Sequence, residues 1–103
     1  MSHNAATFAV RIRLQWVISL GRIMPVKFSS YFLAMRSRSD RAIIREEWIV
    51  RAVEHPVREV IQQDGRIRRW AQIDEMDGKY LRVILLPDQE TVHNAFFDRT
   101  FRP

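Results

Sequence analysis

Three side chains in the C-terminal third of the chain can act together on a phosphate ester. His93 can take up or release a proton near neutral pH, because the ordinary pKa of histidine is about 6.5. Arg82 can hold phosphate oxygens in its planar guanidinium fork, and Tyr80 can stack on a base or donate a proton. RNA cleavage without a metal needs such groups, so we predict that His93, Arg82 and Tyr80 are catalytic. The structural alternative for His93 is a half-buried strand histidine bonded to a neighbour.

A second cluster combines cations with an aromatic ring, and it consists of Arg66, Arg68, Arg69 and Trp70. Basic residues beside aromatic residues can bind single-stranded nucleic acid through phosphate pairing and stacking. Cations on an edge strand also discourage association between sheets, which explains the cluster equally well. We predict these four residues as a nucleic-acid-binding set.

The sequence carries no pattern for a metal or a cofactor. It has no cysteine, and its three histidines, His3, His55 and His93, lack metal-ligand spacing. A glycine-rich phosphate loop, a nucleophile elbow and a zinc signature are also missing. We therefore predict no metal and no cofactor. Asp98-Arg99, at the end of a predicted strand, is interpreted as a structural ion pair or an edge device.

The composition is that of one small globular domain. Of the 103 residues, 47% are hydrophobic and 28% are charged, which is typical of a folded chain. The longest apolar stretches are far shorter than the roughly 18 residues of a membrane span. We predict no membrane partner and a cytoplasmic location.

Charged residues are distributed unevenly along the chain. Residues 1–39 contain six Lys or Arg and no acidic residue, whereas residues 40–103 contain eleven Lys or Arg and all twelve acidic residues. The basic character of the whole protein therefore comes from its N-terminal part. A nucleic-acid hypothesis has to rest on the placement of particular side chains, since bulk charge does not support it.

The first 23 residues allow three interpretations. Residues 10–16 alternate between apolar and polar, as a strand packed on the domain would. The same segment is basic and free of acids, as organellar leaders are. Met24 can also be the natural start, with upstream sequence before it. We predict a basic N-terminal extension over residues 1–23, which can lie upstream of that start, and a single α+β domain over residues 24–103.

Residue periodicity predicts helices first and strands afterwards. A helix is predicted from Asp40 to His55, because Ile44, Trp48 and Ala52 form one apolar stripe and Pro56 stops the helix. A further helix is predicted over residues 30–36, and residues 57–63 form a connector or a short strand. Strands follow over residues 66–73, 79–86 and 91–98. Short turns make neighbouring strands antiparallel. The predicted fold is α+β, with one or two N-terminal helices packed on a three- to four-stranded antiparallel β-meander.

The turn at Asp77-Gly78 sets the predicted pairing of side chains. A two-residue turn there places Ile73 opposite Arg82 and separates the two faces of the meander. The face predicted to lie under the helix holds Trp70, Gln72, Leu81, Val83, Leu85, Val92, Asn94 and Phe96. The face predicted to be open holds Arg69, Ala71, Ile73, Tyr80, Arg82, Ile84, His93, Ala95 and Phe97.

Four segments of the chain resemble a family of small bacterial proteins: residues 44–56, 64–70, 78–84 and 90–99. That uncharacterised domain family is similar to the RelE-like and BrnT-like toxins of toxin–antitoxin systems. The resemblance covers roughly residues 38–99 and implies a RelE-like fold with a ribonuclease surface of Arg, Tyr and His side chains. In one respect the chain departs from the family, since residues 31–38 lack the histidine that members usually carry in the first helix.

Two functions follow from these patterns. The first is a RelE/BrnT-like toxin domain that binds RNA and can cleave it without a metal, with RNA or the ribosome and a cognate antitoxin as partners. The alternative is a non-catalytic binding or oligomerisation module. It would bury one apolar set against another chain: Ile73, Ile84, Ala95 and Phe97.

Overall fold

The computed structural model describes residues 11–103 and shows an α+β fold with a six-stranded sheet and three short helices, of which the first and the third pack on one face of the sheet. The strands are β1 (Ile12–Ser19), β2 (Arg22–Ser29), β3 (Arg58–Ile61), β4 (Ile67–Ile73), β5 (Lys79–Leu85) and β6 (Val92–Phe97). The helices are α1 (Ser30–Met35), α2 (Ser39–Ala42) and α3 (Glu46–Glu54). Val10, where the predicted strand pattern begins, lies outside the described residues.

The predicted three- to four-stranded antiparallel meander behind N-terminal helices is wrong. The strand order is β1-β2-β6-β5-β4-β3, and β2 runs parallel to β6 through the pair Phe28 and Val92. A hairpin, β1–β2, precedes the helices, and the connection through α1 to α3 returns the chain to the far edge of the sheet. The three strands predicted for the second half are present as β4, β5 and β6.

The predicted helix over residues 40–55 is two helices. The chain breaks at residues 43–45, where Ile44 is buried and its neighbour Ile43 is about half exposed, at 53%. Arg45, which precedes α3, has extended backbone angles and no side-chain cap. Trp48, Ile49 and Ala52 of α3 still face the sheet, as the apolar stripe predicts, and α3 ends before Pro56.

The predicted register between β4 and β5 is wrong as well. Residues 74–76 form a 3-10 turn, after which Asp77 and Gly78 both have positive φ angles, of 58° and 74°. The loop is therefore five residues long, and Ile73 pairs with Lys79 instead of Arg82. This shift of three residues is odd, so it moves every β4 side chain to the other face relative to β5.

The corrected register defines the core between the sheet and the helices. The side chains of β4 to β6 that face the helices are Ile67, Arg69, Ala71, Ile73, Leu81, Val83, Leu85, Val92, Ala95 and Phe97. Phe28, Phe32, Trp48 and Ile49 meet them from β2 and the helices. Arg69, predicted on the open face, lies on this side and donates to the Val53 carbonyl at the end of α3 (2.9 Å).

Residues 12–29 form a regular hairpin that extends the sheet. All eight residues of β1 pair with β2, and Leu20 and Gly21 supply the two positive φ angles, 52° and 76°, of a tight two-residue turn. Val17 is buried on the helix side, and Arg22 bonds to Glu54 of α3 (2.9 Å). The start at Met24 stays a prediction.

Within residues 11–103, no helix has the length and apolar character that crossing a membrane requires.

Two adjacent isoleucines test the packing of the chain at the helix break. We expect Ile44→Ala to lower the free energy of unfolding by about 3 kcal/mol, because it leaves a cavity between α2 and α3. The control Ile43→Ala, at a half-exposed side chain, should change it by less than about 0.5 kcal/mol. Urea unfolding followed by circular dichroism measures both. Equal losses would contradict the burial of Ile44 in the core and the exposure of Ile43 beside it.

Candidate functional site

A buried carboxylate, Asp98, connects β4, β5 and the C-terminal tail on the second face of the sheet, which is the face opposite the core. Its Oδ2 accepts hydrogen bonds from Trp70 Nε1 (2.9 Å) and from Arg82 Nη2 (2.8 Å) and Nε (3.1 Å). Its Oδ1 accepts from the backbone N–H (3.0 Å) and the hydroxyl (2.7 Å) of Thr100. Burial opposes ionisation, but the hydrogen bonds from Trp70, Thr100 and Arg82 outweigh it and hold the pKa of the Asp98 carboxyl well below its ordinary range.

The C-terminal residues fold back over the sheet from this point. The ring of Phe101 is buried and stacks on Trp70, with ring centroids 4.8 Å apart, and it also meets Tyr80 at 4.9 Å. The guanidinium of Arg58 covers the same ring at 5.1 Å. The tail of residues 98–103 therefore closes the β3–β5 end of the face that the helices leave uncovered.

A cleft of about 780 Å³ lies between this tail, the end of β6 and α2. Its volume is within the range of small-molecule sites. Four aromatic rings line it, from Tyr80, Phe96, Phe97 and Phe101, and so do four cations, from Arg41, Lys79, Arg99 and Arg102. Asp40 and Asp98 are its two carboxylates. We take this aromatic–cationic cleft as the candidate site.

The cations of the cleft differ in how far other groups neutralise them. Arg41 bonds to Asp40 and covers the Phe96 ring at 5.1 Å. Within residues 11–103, Lys79, Arg99 and Arg102 have no carboxylate within salt-bridge distance. Asp98 is already neutralised by Arg82. The cleft therefore carries a positive potential that attracts anions.

His93 lies away from the cleft, at an irregularity where β6 shifts register against β5. Its Nδ1 is 2.8 Å from Ser29 Oγ, and its ring stacks on Tyr31 at 4.8 Å. Ser29 Oγ also accepts the Phe32 N–H at the start of α1, so its hydroxyl proton can be donated to His93 Nδ1. Burial, together with the charge of Arg66, lowers the pKa of His93. These contacts link β6 to the start of α1.

The structure does not bring the three predicted catalytic side chains together. Tyr80 and Arg82 share one face of β5, and the Tyr80 carbonyl pairs with the N–H of Asp98. His93 lies beyond Asn94, the partner of Ile84, at the other end of the same two strands. Four residues along a strand separate the two positions by about 13 Å. Arg82, moreover, is engaged by Asp98.

The predicted nucleic-acid-binding residues point in several directions. Trp70 is buried under Phe101, and Arg69 contacts Glu59 (2.6 Å) on the helix side. Arg68 donates to Gln62 (3.1 Å), whereas Arg66 is exposed with Asp64 3.7 Å away. Of the four residues, Arg66 presents an exposed cation and none presents a free aromatic face.

The apolar set predicted for an oligomer interface is also divided. Ile73 and Ala95 are fully buried in the core, and Phe97 packs against the core. Ile84 is half-buried on the opposite face. These four residues do not form one exposed surface.

Tyr80 is the one residue of the cleft that was predicted as a site residue, and the cleft residues that sequence reasoning missed include Lys79, Arg99, Phe101 and Arg102. Phe101 follows a predicted strand end and carries no periodicity, so no pattern places it on Trp70. The sequence signal that could have predicted this fold-back is Asp98-Arg99-Thr100. An Asp side chain can accept a hydrogen bond from the backbone N–H two residues later, as Asp98 does from Thr100, and the resulting turn can reverse the chain.

No cluster of three or more His, Asp or Glu side chains suited to a metal ion occurs in the part of the chain that the structure describes. Comparison of the chain with protein-family models, curated proteins and solved structures finds no match. The resemblance to RelE-like and BrnT-like toxins therefore stays a prediction.

Replacing Asp98 tests the link between tail and sheet. At pH 7 we expect Asp98→Asn to lower the free energy of unfolding by about 3 kcal/mol, because it leaves the half-buried Arg82 charge without its partner. Folding lowers the pKa of Asp98, so its stabilising effect is complete above about pH 4 and is lost as the pH falls further. The difference between wild type and variant should therefore stay constant from pH 7 to about pH 4 and shrink from there towards pH 2.

Urea unfolding at several pH values provides the measurement, and Asp74→Asn is the control at an exposed carboxylate. That control should change stability by less than about 0.5 kcal/mol at pH 7. A difference for Asp98→Asn that stays constant from pH 7 to pH 2 would contradict the ionised, hydrogen-bonded state of Asp98.

Proposed function

We propose that the protein binds single-stranded RNA in the aromatic–cationic cleft and does not cleave it. The observation that carries this proposal is one recess of about 780 Å³ in which three cations without carboxylate partners lie beside the partly exposed rings of Tyr80, Phe96 and Phe97, with the buried ring of Phe101 as part of its wall. Rings can stack on bases, and cations can pair with phosphates on either side of a stacked base. Single-stranded RNA offers both groups in the spacing of one nucleotide to the next.

The shape of the site favours a single strand over a duplex. Tyr80, Phe96 and Phe97 are only partly exposed, at the bottom of a recess between α2 and the tail. A base stacked inside a duplex does not present its face, whereas the bases of loops and single strands can turn outward and stack on protein rings. Lys79, Arg99 and Arg102 at the margin would then contact the backbone phosphates.

The absence of cleavage is the second part of the proposal, and the placement of His93 supports it. General acid–base catalysis needs the proton-transferring group within about 3 Å of the reacting oxygen, or one water away. Along β6, the cleft residues Phe96 and Phe97 are three and four residues from His93, about 10 to 13 Å, which is beyond the reach of such a transfer. Arg82, the predicted phosphate ligand, is already neutralised by Asp98.

Two exposed cations of the cleft test this function. We expect Lys79→Gln combined with Arg99→Gln to raise the Kd for a fluorescein-labelled single-stranded RNA about tenfold, from two ion pairs of about 0.7 kcal/mol each. The slope of log Kd against log salt should fall by about 0.7 for each RNA phosphate that no longer pairs with a cation. Fluorescence anisotropy over a salt series measures both quantities.

The matched control is Arg66→Gln, an exposed cation at the far end of β4 that belongs to the predicted binding set. It should leave Kd and the salt slope unchanged. A loss of binding with Arg66→Gln alone would place the site on that set and contradict the cleft. Gel analysis of the same RNA should show intact strands, and cleavage that disappears in His93→Ala would overturn the non-catalytic part.

A further inference from the structure

The outer face of the β1–β2 hairpin is the largest exposed apolar surface of the described residues. Its side chains, with their exposed fractions, are Ile12 (46%), Leu14 (53%), Trp16 (67%), Ile18 (68%), Leu20 (83%) and Ile23 (67%). Alternation along β1 directs Ile12, Leu14, Trp16 and Ile18 to one side, and Ile23 pairs with Ile18 from β2. The opposite side, with Val17 and Phe28, is buried under the helices.

This surface lies at the end of the sheet that the C-terminal tail does not reach. Phe101 covers the second face over β4 and β5, whereas β1 is the outermost strand beyond β2 and β6. Within residues 11–103, nothing covers the outer face of the hairpin. Contiguous apolar patches of this size on soluble domains mark interaction sites.

We propose that this face packs against the same face of a second copy of the chain, so that two hairpins stack sheet on sheet around a two-fold axis near Trp16. A two-fold axis lets one apolar surface be its own partner. Packed sheets lie about 10 Å apart with their strands nearly aligned, which allows the side chains of the two hairpin faces to interdigitate. This inference is independent of RNA binding, since the cleft lies at the other end of the sheet.

The area of the face fits a dimer. Six side chains of roughly 200 Å² each, about two-thirds exposed, present on the order of 800 Å². A standard specific interface takes about 800 Å² from each partner. The face therefore offers the area that a standard interface takes from each partner.

The charges around the face also favour a second copy. The described hairpin has no acidic residue, and Arg13 lies on the helix side of β1. Arg22, on the helix side, is neutralised by Glu54 (2.9 Å), and Lys27, opposite Leu14 on the outer face, is neutralised by Glu90 (3.2 Å). An apolar face whose one cation is paired with a carboxylate meets its own copy without repulsion, whereas it offers no free cation to nucleic acid or to an acidic partner.

Two isoleucines of nearly equal exposure provide the test. We expect the full-length protein to sediment as a dimer at micromolar concentration, and Ile18→Lys to raise the dimer Kd about 100-fold, because each copy would bury an unpaired ammonium. The control Ile61→Lys places the same charge on β3, at the other edge, where the side chain is 66% exposed. It should leave the dimer intact.

Tryptophan fluorescence gives a second measurement that does not depend on the variants. Trp48 and Trp70 are each 5% exposed, so Trp16 reports on the hairpin face. Dilution of the wild type should shift its emission to the red as the dimer separates. A protein that sediments as a monomer at all concentrations would overturn the proposal, whatever the wavelength of its Trp16 emission. A dimer that Ile18→Lys leaves unchanged would overturn it too.

Discussion

The bonded carboxylate of Asp98 is the interaction on which the arrangement of the second face of the sheet depends. It accepts from Trp70 in β4, from Arg82 in β5 and from Thr100 in the tail, so one buried charge connects two strands and the chain end. A buried carboxylate is favourable only when such donors replace its hydration. Because the carboxylate fixes the direction of the tail, Phe101 reaches Trp70 and the cleft acquires its wall.

Ion pairs of this kind decide which cations of the fold can bind a ligand. Most arginines of the described residues are engaged by carboxylates or carbonyls, among them Arg69 with Glu59 and Arg82 with Asp98. The cations without carboxylate partners at the tail, Arg99 and Arg102, border the cleft. The basic character that matters is therefore local. It arises where the folded chain gathers more cations than acids, which the charge of the whole sequence does not reveal.

The elements of the second half could be predicted from the sequence, but the pairing between them could not. Alternation marks β4, β5 and β6 clearly, and Pro56 marks the end of α3. The register failed because Asp77-Gly78 is typical of a two-residue turn, yet Asp74 to Met76 form a 3-10 turn that lengthens the loop. An odd shift exchanges faces, so Arg69 lies on the helix side. His93 lies away from Tyr80 for another reason, since four residues along the strands separate their positions. Phe101 belongs to no periodic pattern, so the sequence does not predict that the tail places its ring on Trp70.

The central claim is that RNA enters the cleft formed by the tail and the sheet. Titration of ¹⁵N-labelled protein with a short oligouridylate, followed by amide chemical shifts, tests it most directly. We expect saturable shifts at Lys79, Tyr80, Phe97 and Arg99, with the amides of Arg66 and Arg68 unmoved. Shifts centred on Arg66 and Arg68, or no saturable shift at all, would contradict RNA binding in the cleft.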